Sequence, residues 1–453
     1  MIGTPEIVES LGSLLRDTRA VGNERFRRVV IDSRACGRGD LFVALRGERS
    51  DGQLYAAGAA ANGARGLLVR ELPEGLPDGV AVFLVDDTLA ALQRLAAGRR
   101  NRRHAKVIGI TGSVGKTTTK EITAAVLGTR YPVLKNEANY NNEIGLPLTL
   151  LRLTARHRRA VLEMGMYAQG EIRTLCEIAR PEVGVVTNIG PSHLERLGSL
   201  EAIAAAKSEL PESLPPQGFA IFNADDPLVL AMAGRTRAHP LTYGTSSEAD
   251  VRASDVESRG LDGVSFRLHW RSESAEVKTA LPGRHIVSNA LAAAAVALAD
   301  GMALPDVAKA LGSARVPLRL QVYRGKGGCT ILDDTYNASP ASMAAALDLL
   351  AEIPGRRIAV LGDMRELGPE EREGHLAVGR RAAETADVIH AVGALGELVV
   401  QAARAGGHRA VYHHDTKEDA VAALVADLRP DDVVLLKASR AMAFETLLDS
   451  LKE

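Results

Sequence analysis

Val107-Ile108-Gly109-Ile110-Thr111-Gly112-Ser113-Val114-Gly115-Lys116-Thr117-Thr118-Thr119-Lys120-Glu121 reads as a buried strand, a glycine-bearing turn and the start of an amphipathic helix. That order is the one a phosphate-binding loop needs. Gly112 and Gly115 let successive backbone N–H groups bend toward an anion, and a helix opening at Lys116 adds the positive end of its dipole. Lys116 supplies a mobile positive charge for phosphate oxygens, and the Thr117 hydroxyl is suited to a magnesium ion. Thr111, Gly112, Ser113, Val114, Gly115, Lys116, Thr117 and Thr118 are therefore the expected ATP contacts. The strict G-x-x-x-x-G-K-[ST] pattern would have glycine at Ile110, so the loop is a variant of it.

Outward from this loop, short Val/Ile/Leu runs alternate with Ala-rich stretches: Arg28 to Ile31, Val80 to Val85, Lys106 to Thr111, Arg159 to Glu163, Val183 to Asn188, Ala220 to Asn223, Ile358 to Leu361, Val388 to Val392 and Asp432 to Lys437. Such alternation predicts α/β architecture with parallel sheets flanked by helices. At 453 residues about three domains are expected. Seams near Gly98 to Lys106 and Ser313 to Pro317 divide the chain into 1–104, 105–313 and 314–453. The expected fold is a smaller N-terminal α/β domain, a central P-loop domain with a doubly wound, mostly parallel sheet, and a Rossmann-like C-terminal domain. Arg99, Arg100, Arg102, Arg103 and Lys106 crowd the first seam and read as a solvated helix end and linker.

Composition removes several classes. With 55 Lys plus Arg against 56 Asp plus Glu, the net charge of −1 disfavours nucleic acid as a partner. An apolar share of 46% with 25% charged residues excludes disorder as the main state. Cys36, Cys176 and Cys329 lack the short spacings of a zinc site or a disulfide framework, which fits a reducing cytoplasm. The longest apolar run, Ala290 to Ala299, is half a membrane span, and the N-terminus lacks signal-peptide order, so no membrane insertion is expected.

The variant Thr-Gly-x-x-Gly-Lys-Thr-Thr loop resembles that of the Mur ligase superfamily, and further segments match in order. They are Asn139 to Pro147, Glu163-Met164-Gly165-Met166, Thr187-Asn188-Ile189-Gly190, then His193 and Lys207. Asp32-Ser33-Arg34, Gly39 to Gly47, Asp333 to Pro340 and Gly362 to Gly368 resemble the branch that joins D-alanyl-D-alanine to a UDP-N-acetylmuramoyl-tripeptide. Ile286 and Ala438 depart from the family's usual residues.

The resemblance implies an ATP-dependent ligase with Mg2+, working through an acyl phosphate in peptidoglycan precursor synthesis. It implies Lys116, Glu163, His193 and Lys207 as catalytic, with Thr117, Glu163, His193 and a carbamylated Lys207 holding metal. Taken alone, Glu163 at a strand end reads as readily as a solvated side chain, His193 in a loop reads rather as a surface or hydrogen-bonded histidine, and Lys207 on a helix as a solvated lysine. Asn289, Arg319 and Asp334 are expected at the nucleotide, Ser33, Arg34 and Arg46 at the uridine diphosphate end, and Asn337 and Ser339 at the peptide. Ser33 could instead cap a turn. A cytoplasmic monomer is expected, with a third domain that closes over the nucleotide and excludes water. Competing readings are a folate polyglutamylating or earlier muramyl ligase, and a P-loop switch whose turnover depends on a macromolecular partner.

Overall fold

A computed structural model describes residues 1–19, 22–48, 50–192 and 194–453. Three sheets organise the chain, each beneath helices. The first domain carries five strands in the order Leu15–Arg19, Ala81–Val85, Gly66–Val69, Leu41–Val43 and Val29–Val30, parallel except for the first. A two-stranded antiparallel pair, Ile2–Gly3 with Arg25–Phe26, lies beside it.

The central sheet has nine strands. Lys106–Thr111 is third from one edge, between Arg159–Glu163 and Val183–Val186, with all three parallel. Phe219–Asn223, His239–Gly244 and Val251–Ser258 extend the sheet in parallel, after which Val264–Trp270 and Glu273–Thr279 add an antiparallel hairpin. A search for continuous apolar runs passes over that hairpin, because Val264–Trp270 is interrupted by Arg267 and His269, and Glu273–Thr279 carries Glu273, Glu276 and Lys278. The helix Ile286–Ala299 is buried almost all round and packs on the P-loop helix Lys116–Gly128. Its alanines let the two backbones approach closely, so the long apolar run is a core helix. Among the described residues no helix is long and apolar enough to cross a membrane.

The third sheet runs Gln321–Arg324, Thr330–Asp333, Val433–Lys437, Arg357–Gly362, Val388–Val392 and Val411–His414, parallel after its first strand. Ile286 and Ala438, the two departures from the family pattern, are both buried core residues.

The basic seam differs from its sequence reading. Arg99 lies within the helix Thr88–Asn101 and is only 2% exposed; it pairs with Glu6 at 2.9 Å and donates to the Leu153 carbonyl at 2.8 Å. Arg100 donates to the carbonyls of Ala179 and Arg180 and pairs with Glu182, while Lys106 reaches Asp300 at 3.1 Å. Arginines 99 and 100 thus clamp the first domain onto the central one, and their stems and charges are used internally.

Candidate active site

The loop after Lys106–Thr111 bends at two left-handed glycines, Gly112 with φ 142° and Gly115 with φ 85°. A Cβ at Gly112 would lie 1.9 Å from Thr187 Oγ1, and one at Gly115 2.6 Å from Asn289 Oδ1, so both space and conformation require glycine. Adjacent strand ends hold the loop in place. Val114 N donates to Asn188 Oδ1 at 2.8 Å, Asn188 Nδ2 returns a bond to Val114 O at 3.0 Å, and Thr187 Oγ1 donates to the same carbonyl at 2.6 Å. Ser113 Oγ and Gly190 exchange two further bonds. The Thr187-to-Gly190 motif is therefore a brace for the phosphate loop.

Lys116 folds back on its own loop, donating to Gly112 O at 2.7 Å and Ser113 O at 3.1 Å. Burial lowers its pKa to about 8; Glu163 opposes that shift and Arg319 adds to it. Lys207 is 2% exposed, on the helix Leu200–Glu212, and donates to the same Gly112 carbonyl at 3.1 Å. Its pKa is driven well below the ordinary lysine value by burial and then by the Lys116 charge. The solvated-helix reading of Lys207 is thereby overturned: it is a buried amine aimed at the phosphate loop.

Glu163, 1% exposed, ends the strand beside the loop strand. Its Oε2 accepts from Thr117 Oγ1 at 2.8 Å and its Oε1 from Asn141 Nδ2 at 2.8 Å. It too is a buried, directed group and not a solvated strand end. Arg319, from the start of the third domain, donates to Thr117 Oγ1 at 2.8 Å with its guanidinium 4.3 Å from the Tyr336 ring centre.

A cavity of about 300 Å3 lies between the central and third domains, lined by Gly115, Thr118, Asn289, Arg319, Asp334 and Lys437, among others. Asn337 and Ser339 also line it. Asp334 pairs with Lys437, whose Nζ also donates to Asn337 O at 3.0 Å. Asn289 accepts from Thr119 Oγ1 at 3.0 Å. Ser339 has a further structural duty, forming a capping box with Ser342 at the start of the helix Pro340–Ala351. Thr111 is fully buried, its hydroxyl without a partner among the described residues. His193 lies outside the described residues.

Ser33, Arg34 and Arg46 stand apart from this cluster, on the first domain. Asp32, not Ser33, caps the short turn Ser33–Ala35, and it also holds Arg34 in an exposed ion pair at 2.8 Å. Arg46 is exposed and bridges Asp51 through the backbone. A second cavity, of about 510 Å3, runs from Asp32 and Ala35 across Arg27 and Arg28 to Tyr140 and Arg152 of the central domain.

Two groups of residues escaped sequence reading. Asn136 is fully buried and bonds both backbone polar groups of Glu163, accepting from its N at 2.9 Å and donating to its O at 3.2 Å. Asp363 is fully buried between strand ends, accepting from Arg365 Nη2 at 2.9 Å and Leu395 N at 3.1 Å, while Ser439 Oγ accepts from Arg365 N at 2.8 Å. Asp363 lies in a quoted motif and could have been singled out there; nothing in the local sequence marks Asn136.

A loop, an acid and two lysines assembled this way define a nucleotide-dependent ligase of three domains, and comparison with known proteins agrees. Residues 25–100 match the model described as "Mur ligase family, catalytic domain", residues 110–297 the "Mur ligase middle domain" and residues 318–440 the "Mur ligase, glutamate ligase domain". The chain belongs to the Mur ligase family. It is 38% identical to the UDP-N-acetylmuramoyl-tripeptide--D-alanyl-D-alanine ligase of Bacillus subtilis, covering 98% of each chain. It also resembles the crystal structure of MurF from Acinetobacter baumannii, with a TM-score of 0.90, 33% identity and 99% of each chain covered. MurF ligase of Thermotoga maritima, in complex with ADP, superposes with a TM-score of 0.81 at 31% identity, over 93% of this chain and 96% of that one.

Proposed function

We propose that this chain joins D-alanyl-D-alanine to UDP-N-acetylmuramoyl-tripeptide with ATP, giving ADP and phosphate, as a cytoplasmic monomer in peptidoglycan precursor synthesis. The observation that carries the reading is the meeting of Lys116, Thr117 and Glu163 with Arg319 from the third domain beside the cavity between the two domains. A carboxylate is a poor electrophile because its leaving group would be oxide. Transfer of the γ-phosphoryl group to a carboxylate oxygen releases ADP and creates an acyl phosphate. The dipeptide's amine then attacks the carbonyl carbon, phosphate departs, and the nitrogen loses a proton.

Placement supports several of the assigned roles, and the family resemblance supplies the rest. Residues 111–118 cradle the phosphates, with Lys116 exchanging its two loop carbonyls for phosphate oxygens. Arg319 reaches the phosphates across the domain seam. Asn289 and Asp334 face the remainder of the nucleotide from opposite walls of the cavity, and Asn337 and Ser339 face the peptide. Ser33, Arg34 and Arg46 hold the diphosphate end of the acceptor, which runs through the second cavity toward Tyr140. Lys207, an amine that burial holds toward its neutral form, is suited to add carbon dioxide as a carbamate.

The donor chemistry fits Mg2+. Thr117 Oγ1 and Glu163 Oε2 are hard oxygens 2.8 Å apart, near the roughly 3.0 Å between neighbouring ligands of an octahedral ion with bonds of about 2.1 Å. Thr117 and Glu163 would hold it, with His193 and the Lys207 carbamate at a second ion. Bound there, Mg2+ neutralises phosphate charge and orients the transfer.

The incoming dipeptide is placed at Asp363, Arg365 and Ser439. Loops after the neighbouring strands Arg357–Gly362 and Val433–Lys437 lead to helices on opposite faces of the sheet, and such a switch point is where open α/β sheets bind ligands. The test offers the enzyme ATP, the UDP-muramoyl-tripeptide and either D-alanyl-D-alanine or single amino acids. Amide formation only with the dipeptide is expected; preference for glutamate or for a single amino acid would overturn the assignment.

A further inference from the structure

The P-loop helix and the strand bearing Glu163 are tied by a closed ring of hydrogen bonds. Thr117 Oγ1 donates to Glu163 Oε2 at 2.8 Å. One turn along the same helix, fully buried Lys120 donates to Asn136 O at 2.7 Å. The Asn136 side chain grips Glu163 N at 2.9 Å and Glu163 O at 3.2 Å, which closes the ring. Its Nδ2 donates also to Tyr140 O at 2.8 Å, and Tyr140 neighbours Asn141, whose Nδ2 holds the other Glu163 oxygen.

Every atom of this arrangement has a reason to be exact in place. Asn136 has no exposed surface, and its side-chain oxygen and nitrogen are all satisfied by main-chain groups. An asparagine buried so completely costs desolvation, which its bonds to Glu163 and Tyr140 offset. Lys120, equally buried, has Glu121 at 3.2 Å to balance its charge, and Glu121 in turn pairs with Lys135. The strand Val133–Lys135 that leads into Asn136 lies beside Arg159–Glu163 in parallel register. The ring therefore couples the helix bearing Thr117 to the strand end bearing Glu163.

We infer that Asn136, backed by Lys120, is a positioning residue that sets the spacing between Thr117 Oγ1 and Glu163 Oε2, and through it the affinity for the divalent cation that accompanies the nucleotide. This rests on the assignment of Thr117 and Glu163 to Mg2+ made above. Outer partners of metal ligands typically change metal affinity by about 10–100-fold when removed.

The test measures ADP binding to the full chain by calorimetry, with EDTA and across a Mg2+ titration, for wild type, Asn136→Ala, Lys120→Met and Glu163→Gln. The expected result is an Mg2+ requirement raised by about 10-fold in Asn136→Ala, a smaller rise in Lys120→Met, and metal-free ADP affinity unchanged in both. The unchanged metal-free affinity distinguishes positioning from a damaged fold. If Asn136→Ala does not fold, Lys120→Met and Asn136→Ser carry the measurement. Loss of the Mg2+ response in Glu163→Gln with a wild-type response in the Asn136 and Lys120 variants would overturn the inference alone. A wild-type response in Glu163→Gln would overturn the metal assignment itself.

Discussion

Lys116 donates to the carbonyls of Gly112 and Ser113 in its own loop, and its charge sits in a poorly solvated place. An anionic diphosphate would favour the cation, so nucleotide binding raises a pKa that is about 8 in the free protein. ADP binding should take up a proton on the alkaline side of that value. The affinity is expected to weaken by up to about tenfold per pH unit above pH 8, and calorimetry in buffers of different ionisation enthalpy checks both the sign and the size. Lys207 shares the Gly112 carbonyl, and its amine, whose pKa burial lowers, is predicted to bind carbon dioxide. A carbamate signal in the carbon NMR spectrum with labelled bicarbonate is expected for the wild type and absent from Lys207→Met. Lys207 also shows the limit of sequence reading at this scale, since three alanines and a lysine on a helix give no sign that the lysine faces inward.

At the scale of elements, the phosphate loop was legible because its chemistry is local: the glycines, the lysine and the flanking strand and helix all lie within fifteen residues of one another, and the strands Lys106–Thr111 and Arg159–Glu163 were read with their observed bounds. The basic cluster at the first seam was misread because its partners Glu6, Leu153 and Glu182 are distant in sequence. A run of arginines looks solvated until the fold supplies carboxylates and carbonyls for it. Arg99 is buried against Glu6, so Arg99→Met leaves a carboxylate without its cation and should cost about 3–5 kcal/mol. Denaturant unfolding measures this, and the double variant with Glu6→Met should recover part of the loss. Asn136 escaped for the same reason as the seam, because its importance lies in contact with Glu163 across two strands.

For the whole molecule, the proposed function puts the acceptor, the nucleotide and the dipeptide on the surfaces of three domains that meet at their seams. Contacts of the third domain with the central one include Arg319–Thr117, Ser258 and Arg284 on Glu352, Leu261 against the third domain's core, and Gly368 backed onto Glu195. Polar contacts such as Arg319–Thr117 and Arg284–Glu352 suit a domain that opens to admit substrates and closes to exclude water. Small-angle scattering is expected to show a smaller radius of gyration with ADP, Mg2+ and UDP-muramoyl-tripeptide than without them, and Arg284→Ala is expected to reduce that difference. The three-domain order was readable from the alternation of strands and helices, whereas the antiparallel hairpin at Val264–Trp270 and Glu273–Thr279 was not, because amphipathic strands at a sheet edge lack the continuous apolar signal of the buried ones. In the proposed reaction the phosphate loop delivers the γ-phosphoryl group to a carboxylic acid. Mass spectrometry of the products formed from UDP-muramoyl-tripeptide, D-alanyl-D-alanine, ATP and Mg2+ tests it most directly, by comparing wild type with Lys116→Ala. The dipeptide-extended product and matching ADP are expected from the wild type and neither from the variant; product formed by Lys116→Ala at the wild-type rate would rule out phosphoryl delivery by this loop.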